Sequence, residues 1–308
     1  MNSAGPPDLA VELGALRLAN PIIAASGTFG YGLEFAHLLN LDRLGGFVVK
    51  GLSAQPMDGA PAPRLSPTPA GMINAVGLQN VGVRAFVAEK LPALRHLKTA
   101  VIANVFGHAV EEYVEVIRVL EDAPGLAAYE LNISCPNVKK GGMQYGSDPS
   151  LTAEVVSAAR KAATRRPLWV KLSPLVTDIT VIARAAAGAG ADTLTVANTY
   201  PAMSIDPGTR RSRLGNPTGG LSGPAIRPIT LRLVHEVSKS VHIPVIGLGG
   251  IETPSDVVEY LLAGSSAVQV GTATFVDPRA CEGLVEGLVS WCRQSKINEL
   301  NELRGALL

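Results

Sequence analysis

Eight short runs of apolar and β-branched residues recur along the chain, and most of them lead into a segment with helical spacing. They cover residues 21–25, 46–49, 101–105, 128–133, 168–172, 193–197, 244–247 and 267–270. Most are apolar throughout rather than alternating, which suits parallel strands covered on both faces. Between them Val110, Val114 and Ile117 fall one helical turn or two apart, and Ile226, Ile229, Leu233 and Val237 repeat that spacing. Thr253 reads as a helix N-cap with Pro254 in the first helical position, opening a helix that buries Val257 and Leu261. Eight strand–helix units in 308 residues predict an α/β fold, a closed (β/α)8 barrel in one domain over residues 1–308. A doubly wound open sheet is the alternative, and it rarely has eight parallel strands in this rhythm. Residues 11–18, apolar about Gly14-Ala15, predict an N-terminal β-hairpin that plugs the bottom of the barrel.

Two stretches, 51–81 and 198–222, are too long for simple turns. Both leave the C-terminal ends of their strands, so lids over that face are expected. In a barrel that face gathers the chemistry. The strand ends supply Ser26-Gly27, Lys50-Gly51, Asn104, Asn132, Lys171, Asn198-Thr199, Gly249-Gly250 and Gly271-Thr272. Most lysines are exposed, yet Lys50 and Lys171 each close a buried apolar run, where an idle charge is costly. Glycine pairs are ordinary turn residues, but after the seventh and eighth strands they suit backbone binding of a phosphate.

The most informative of these strand ends is Asn132-Ile133-Ser134-Cys135-Pro136-Asn137. A free cysteine is most often a buried small hydrophobe. Here it has two carboxamides and a hydroxyl around it, which an inert core position does not need. A thiol so placed can be an acid, a base or a nucleophile. Chemistry alone leaves open a carboxylate or an anionic reduced flavin neutralised by the lysines, and a phosphate-bearing cofactor or substrate on the glycine pairs.

Composition narrows the partners. A formal charge of +1 gives no electrostatic case for nucleic acid or an anionic membrane. No apolar run reaches the ~18 residues of a membrane helix, and the first eight residues lack the pattern of a signal peptide. Three cysteines suit a reducing compartment, so a soluble cytoplasmic protein is expected. They are too few for a thiolate-bound iron–sulfur cluster, and no metal ligands are expected. Charged residues are 17% of the chain and mean hydropathy is positive, so part of the apolar surface is expected to meet another subunit.

The chain resembles the class-one dihydroorotate dehydrogenases, FMN enzymes of pyrimidine synthesis, from about residue 9 to residue 292. The resemblance rests on Asn74-Ala75-Val76-Gly77-Leu78-Gln79-Asn80, on the cysteine motif, on Val170-Lys171-Leu172-Ser173-Pro174 and on Gly247-Leu248-Gly249-Gly250-Ile251. A cysteine rather than a serine at position 135 marks class one. The segments 138–146 and 221–226 look like the NAD-linked subtype. The resemblance implies Cys135 as catalytic base. It implies Lys50, Asn74, Gly77, Leu78, Asn132, Asn198 and Thr199 around dihydroorotate or orotate. It implies Ser26, Lys50, Gly51, Asn104, Asn132, Lys171, Ala197, Gly223, Gly249, Gly250, Gly271 and Thr272 around FMN. It also implies a homodimer, and a heterotetramer with a subunit carrying FAD and an iron–sulfur cluster that passes electrons to NAD. Gly51 stands where the family more often has a hydroxyl residue, and Ala202 where glycine is common. The former is expected to remove a flavin contact, the latter to alter the lid. The rival readings are a fumarate-linked enzyme, another pyrimidine-reducing flavoenzyme such as the barrel of a dihydropyrimidine dehydrogenase, and, from a different class, a Schiff-base aldolase using Lys171.

Overall fold

The computed structural model describes residues 7–134 and 145–308. Cys135 and the following residues through Gln144 therefore lie outside the described residues.

Eight parallel strands close into a barrel: Ile22–Ala24, Gly46–Val48, Ala100–Val105, Ala128–Asn132, Leu168–Lys171, Thr193–Val196, Val245–Leu248 and Ala267–Val270. The eighth pairs with the first, Val268 opposite Ile22, which leaves no free edge. Each expected run became a strand, within a residue or two of its expected ends.

The hairpin forms as expected, with Val11 opposite Leu18 and Leu13 opposite Leu16. Gly14, at φ +64°, supplies the left-handed turn residue. Val11, Leu13 and Leu18 pack with Ile23, Val48, Ile102, Ala128, Trp169, Ile246 and Ala267. This apolar floor fills the end of the barrel where the strands begin.

Among the described residues six long helices jacket the barrel: Val110–Glu121, Pro149–Ala162, Ile179–Gly188, Arg227–Ser240, Pro254–Leu262 and Ala280–Ser295. Thr253 caps its helix in a reciprocal box with Asp256, preceding Pro254 in the first turn. Two expected apolar stripes hold except at one position each, with Val110, Ile226, Leu233 and Val237 buried. Tyr113, Val116, Ile117 and Leu120 are buried while Val114 is half-buried. Ile229 is 44% exposed. Its place is taken by Thr230, whose hydroxyl satisfies itself on the Ile226 carbonyl at 3.0 Å, so that a polar side chain can face the barrel.

The two long stretches are not loops throughout. Tyr200–Ala202, Gly219–Ser222, Gly71–Asn74 and Leu65–Thr68 pair in that order as one antiparallel sheet over the C-terminal face. Pro67 is tolerated because its strand is at an edge. Ala202 is paired with Gly219 in this ladder, an extended conformation that alanine adopts as readily as glycine. Among the described residues no helix is long and apolar enough to cross a membrane.

Candidate active site

Side chains alternate along each strand, so every second residue points into the barrel. Above the apolar floor the inward tier turns polar: Asn104, Glu130, Lys171, Thr195 and Gln269, all buried. Glu130 is fully buried and accepts three hydrogen bonds. Asn104 Nδ2 donates to Oε1 at 2.8 Å, and Thr195 Oγ1 and Gln269 Nε2 donate to Oε2 at 2.9 and 2.5 Å. Burial pushes the Lys171 ammonium below the ordinary lysine range, and the Glu130 charge opposes that shift. Lys50 is also shifted down, by burial first and then by repulsion from Arg64 and Lys171.

A cavity of about 510 Å³ opens above this tier, between the strand ends and the small sheet. All the candidate residues within the described chain line it. Ser26, Lys50, Gly51, Asn104, Asn132 and Lys171 come from the first five strands or their ends. Ala197, Asn198, Thr199, Gly249, Gly250, Gly271 and Thr272 come from the last three. Asn74, Gly77, Leu78 and Gly223 reach it from the two insertions. The thiol of Cys135 is the one candidate outside the described residues; Ser134, its neighbour, lines the wall.

The wall is hydrogen-bonded across strands. Ser134 Oγ donates to Asn132 Oδ1 at 2.7 Å and accepts from Asn198 Nδ2 at 2.5 Å. Asn198 Oδ1 receives the backbone N–H of Thr199 at 2.8 Å. Tyr113 donates to the Asn132 carbonyl at 3.0 Å, Asn74 Nδ2 to the Gly220 carbonyl at 3.1 Å, and Thr272 Oγ1 to Ser222 Oγ at 2.7 Å. Leu78 is held at φ +58°, a strained setting for a leucine.

At two glycines of the cavity wall there is no room for a side chain. A Cβ on Gly250, which has φ +68°, would stand 2.7 Å from the Gly223 carbonyl oxygen and 2.8 Å from Arg227 Cβ. One on Gly51 would stand 2.9 Å from Asn104 Oδ1 and 3.2 Å from the Phe106 ring. Gly51 thus avoids crowding Asn104 Oδ1, an oxygen that is buried with no hydrogen-bond partner among the described residues.

Sequence reasoning missed Glu130, Thr195 and Gln269, and it missed Met72 and Ser222 on the cavity wall. The legible signal was Glu130, a carboxylate between Tyr129 and Leu131 in the strand Ala128–Asn132, where an unpartnered charge is untenable.

Comparison with known proteins bears on what this cavity serves. The model of the family described as dihydroorotate dehydrogenase matches residues 8–291. The chain is 57% identical, over 98% of its length and 99% of the relative's, to a "Putative dihydroorotate dehydrogenase A (fumarate)" of Solibacter usitatus. It is 52% identical over the same shares to the "Dihydroorotate dehydrogenase B (NAD(+)), catalytic subunit" of Trichlorobacter lovleyi. The corresponding protein of Pelobacter propionicus is 51% identical. Among solved structures, a DHODH from Eimeria tenella in complex with ferulenol superposes with a TM-score of 0.82 at 22% identity, covering 99% of this chain and 90% of that one. That likeness carries the fold.

Proposed function

The chain belongs to the dihydroorotate dehydrogenase family, and on that premise we propose that it oxidises dihydroorotate to orotate on FMN for the synthesis of UMP. One observation carries this reading: two buried or half-buried lysines and four carboxamides, on Asn74, Asn104, Asn132 and Asn198, converge on one cavity. The cations suit a carboxylate and a ring that gains negative charge. The carboxamides suit the alternating donors and acceptors of planar amide rings.

The residues present fit FMN. Asn104, a residue of the cavity wall, carries a buried acceptor Oδ1 with no partner among the described residues, and Gly249 and Gly250 present backbone at the cavity wall, where a Cβ on Gly250 would crowd Gly223 and Arg227. Glycine pairs at the seventh and eighth strand ends suit a phosphate. When bound, FMN supplies a hydride acceptor at its N5 for the hydrogen on C6 of the substrate. Lys171 stabilises negative charge on the ring, and Lys50 holds the substrate carboxylate. Asn74, Gly77, Leu78, Asn132, Asn198 and Thr199 orient the substrate ring. Cys135, following Ser134 at the cavity wall, removes the proton from C5. Ser26, Gly51, Ala197, Gly223, Gly249, Gly250, Gly271 and Thr272 complete the cofactor side.

The chain acts as a single FMN-binding domain and as the catalytic subunit of a larger assembly. The partner is a subunit with FAD and an iron–sulfur cluster that hands electrons to NAD, and two copies of this chain pair within it. The two described cysteines, Cys281 and Cys292, are free and buried, which suits the cytoplasm. The name of the Solibacter relative favours a second reading, fumarate as acceptor. The basic test is anaerobic: the purified chain should show a flavin spectrum that bleaches on adding dihydroorotate. A colourless protein, or one that retains its yellow colour with substrate, overturns the reading.

A further inference from the structure

The polar tier beneath the cavity contains a carboxylate that the proposed chemistry does not use. Glu130 is buried and has both oxygens occupied. An ionised carboxylate only accepts hydrogen bonds, so it can hold Asn104 in one orientation alone, with the amide nitrogen turned toward Glu130. The carbonyl oxygen of Asn104 is then left pointing away from the carboxylate. That oxygen is buried, has no partner among the described residues, and belongs to a residue on the cavity wall. Gly51 keeps it open, because a Cβ there would stand 2.9 Å from it. Thr195 and Gln269 fix the far oxygen of Glu130 from two other strands, so the carboxylate cannot swing away.

We propose that Glu130 is a positioning residue for the cofactor: it locks Asn104 as a hydrogen-bond acceptor and so requires an N–H or O–H donor from the group bound above it. FMN, with an imide N–H on its ring and hydroxyls on its ribityl chain, meets that requirement. The inference rests on the FMN reading given above. The same carboxylate is the anion that favours the charged form of Lys171. Its loss therefore reaches the cofactor by two routes, the amide and the ammonium.

The test is a double-mutant cycle on FMN affinity, measured by titrating cofactor-free protein. In Glu130→Gln the new side chain can donate as well as accept, so the Asn104 amide is free to turn over. A hydrogen bond to a charged group predicts a loss of about tenfold or more in affinity. In an Asn104→Ala background the same Glu130→Gln change should cost less than about threefold, because its principal route is gone. The absorption bands of bound FMN should move in Glu130→Gln and stay in place in Thr195→Val, which removes one donor but keeps the carboxylate and its bond to Asn104. Additive losses, or unmoved bands in Glu130→Gln, overturn the proposal. If Glu130→Gln does not fold, Glu130→Asp, one methylene too short to reach Asn104 but still charged, must show the same coupling. Wild-type protein that binds no FMN defeats the underlying reading; wild-type that binds FMN with an indifferent Glu130 defeats this inference alone.

Discussion

Asn198 donates its side-chain amide to Ser134 Oγ at 2.5 Å, joining the sixth strand end to the fourth immediately before Cys135. Ser134 is further held by Asn132, so the residue next to the proposed base is pinned from two strands. General base catalysis contributes ~10²–10⁴-fold. Cys135→Ala should therefore lower dihydroorotate oxidation by that order while leaving FMN bound. Cys135→Ser should retain a trace that grows as pH rises, since a hydroxyl is the weaker acid. Steady-state rates across pH with flavin absorbance check both; near-normal turnover in Cys135→Ala removes the thiol from the mechanism.

Lys50 predicts a pH effect on substrate binding. Burial, Arg64 and Lys171 all lower its pKa, so its proton leaves below the ordinary lysine range as pH rises. Beyond that point the substrate carboxylate loses its cation, and KM should climb by up to ~tenfold per pH unit. Lys50→Arg keeps a charge throughout. Its KM should be higher near neutrality but flat into the alkaline range. A wild-type KM that is level up to the pH where free lysine titrates contradicts this role.

Gly220 supports two substrate residues at once. Its carbonyl accepts from Asn74, and a Cβ there would fall 2.1 Å from Thr199 Oγ1. Gly220→Ala must displace Thr199. Misplacement on the ångström scale costs up to ~10²-fold, so kcat/KM should drop ~10- to ~100-fold with FMN still bound. Gly188→Ala, where a Cβ meets nothing within 4 Å, is the control and should behave as wild type.

The electron acceptor separates the two named kinds of relative. The isolated chain should reduce artificial dyes, and should reduce NAD only after addition of an iron–sulfur flavoprotein subunit. Efficient fumarate reduction by the chain alone would move it to the other subtype. Efficient NAD reduction without a partner would sink the two-subunit assignment.

The barrel was legible because parallel strands must be apolar on both faces, a pattern that residues 21–25 or 46–49 carry without help from context. The Thr253 cap was legible because its partners lie within one turn. The candidate residues named from motifs and strand ends line one cavity where they are described. What stayed hidden depends on neighbours distant in sequence. Ile229 obeys the helical spacing yet faces solvent, because Thr230 could bond its own helix and turn inward. The small sheet was invisible because Gly219–Ser222 and Gly71–Asn74 pair across 146 positions at Asn74 and Gly220, with no alternation in either. Glu130 was overlooked because its three donors come from three different strands.

The small sheet has a mechanical consequence. Gly71–Asn74 is flanked by Leu65–Thr68 on one side and by Gly219–Ser222 on the other, so the two insertions share one ladder of backbone bonds. A force on either is transmitted to the other through that ladder, and neither can swing clear while the pairing holds. The two insertions should therefore move as a single plate over the mouth of the barrel, and a crosslink at either should slow both together.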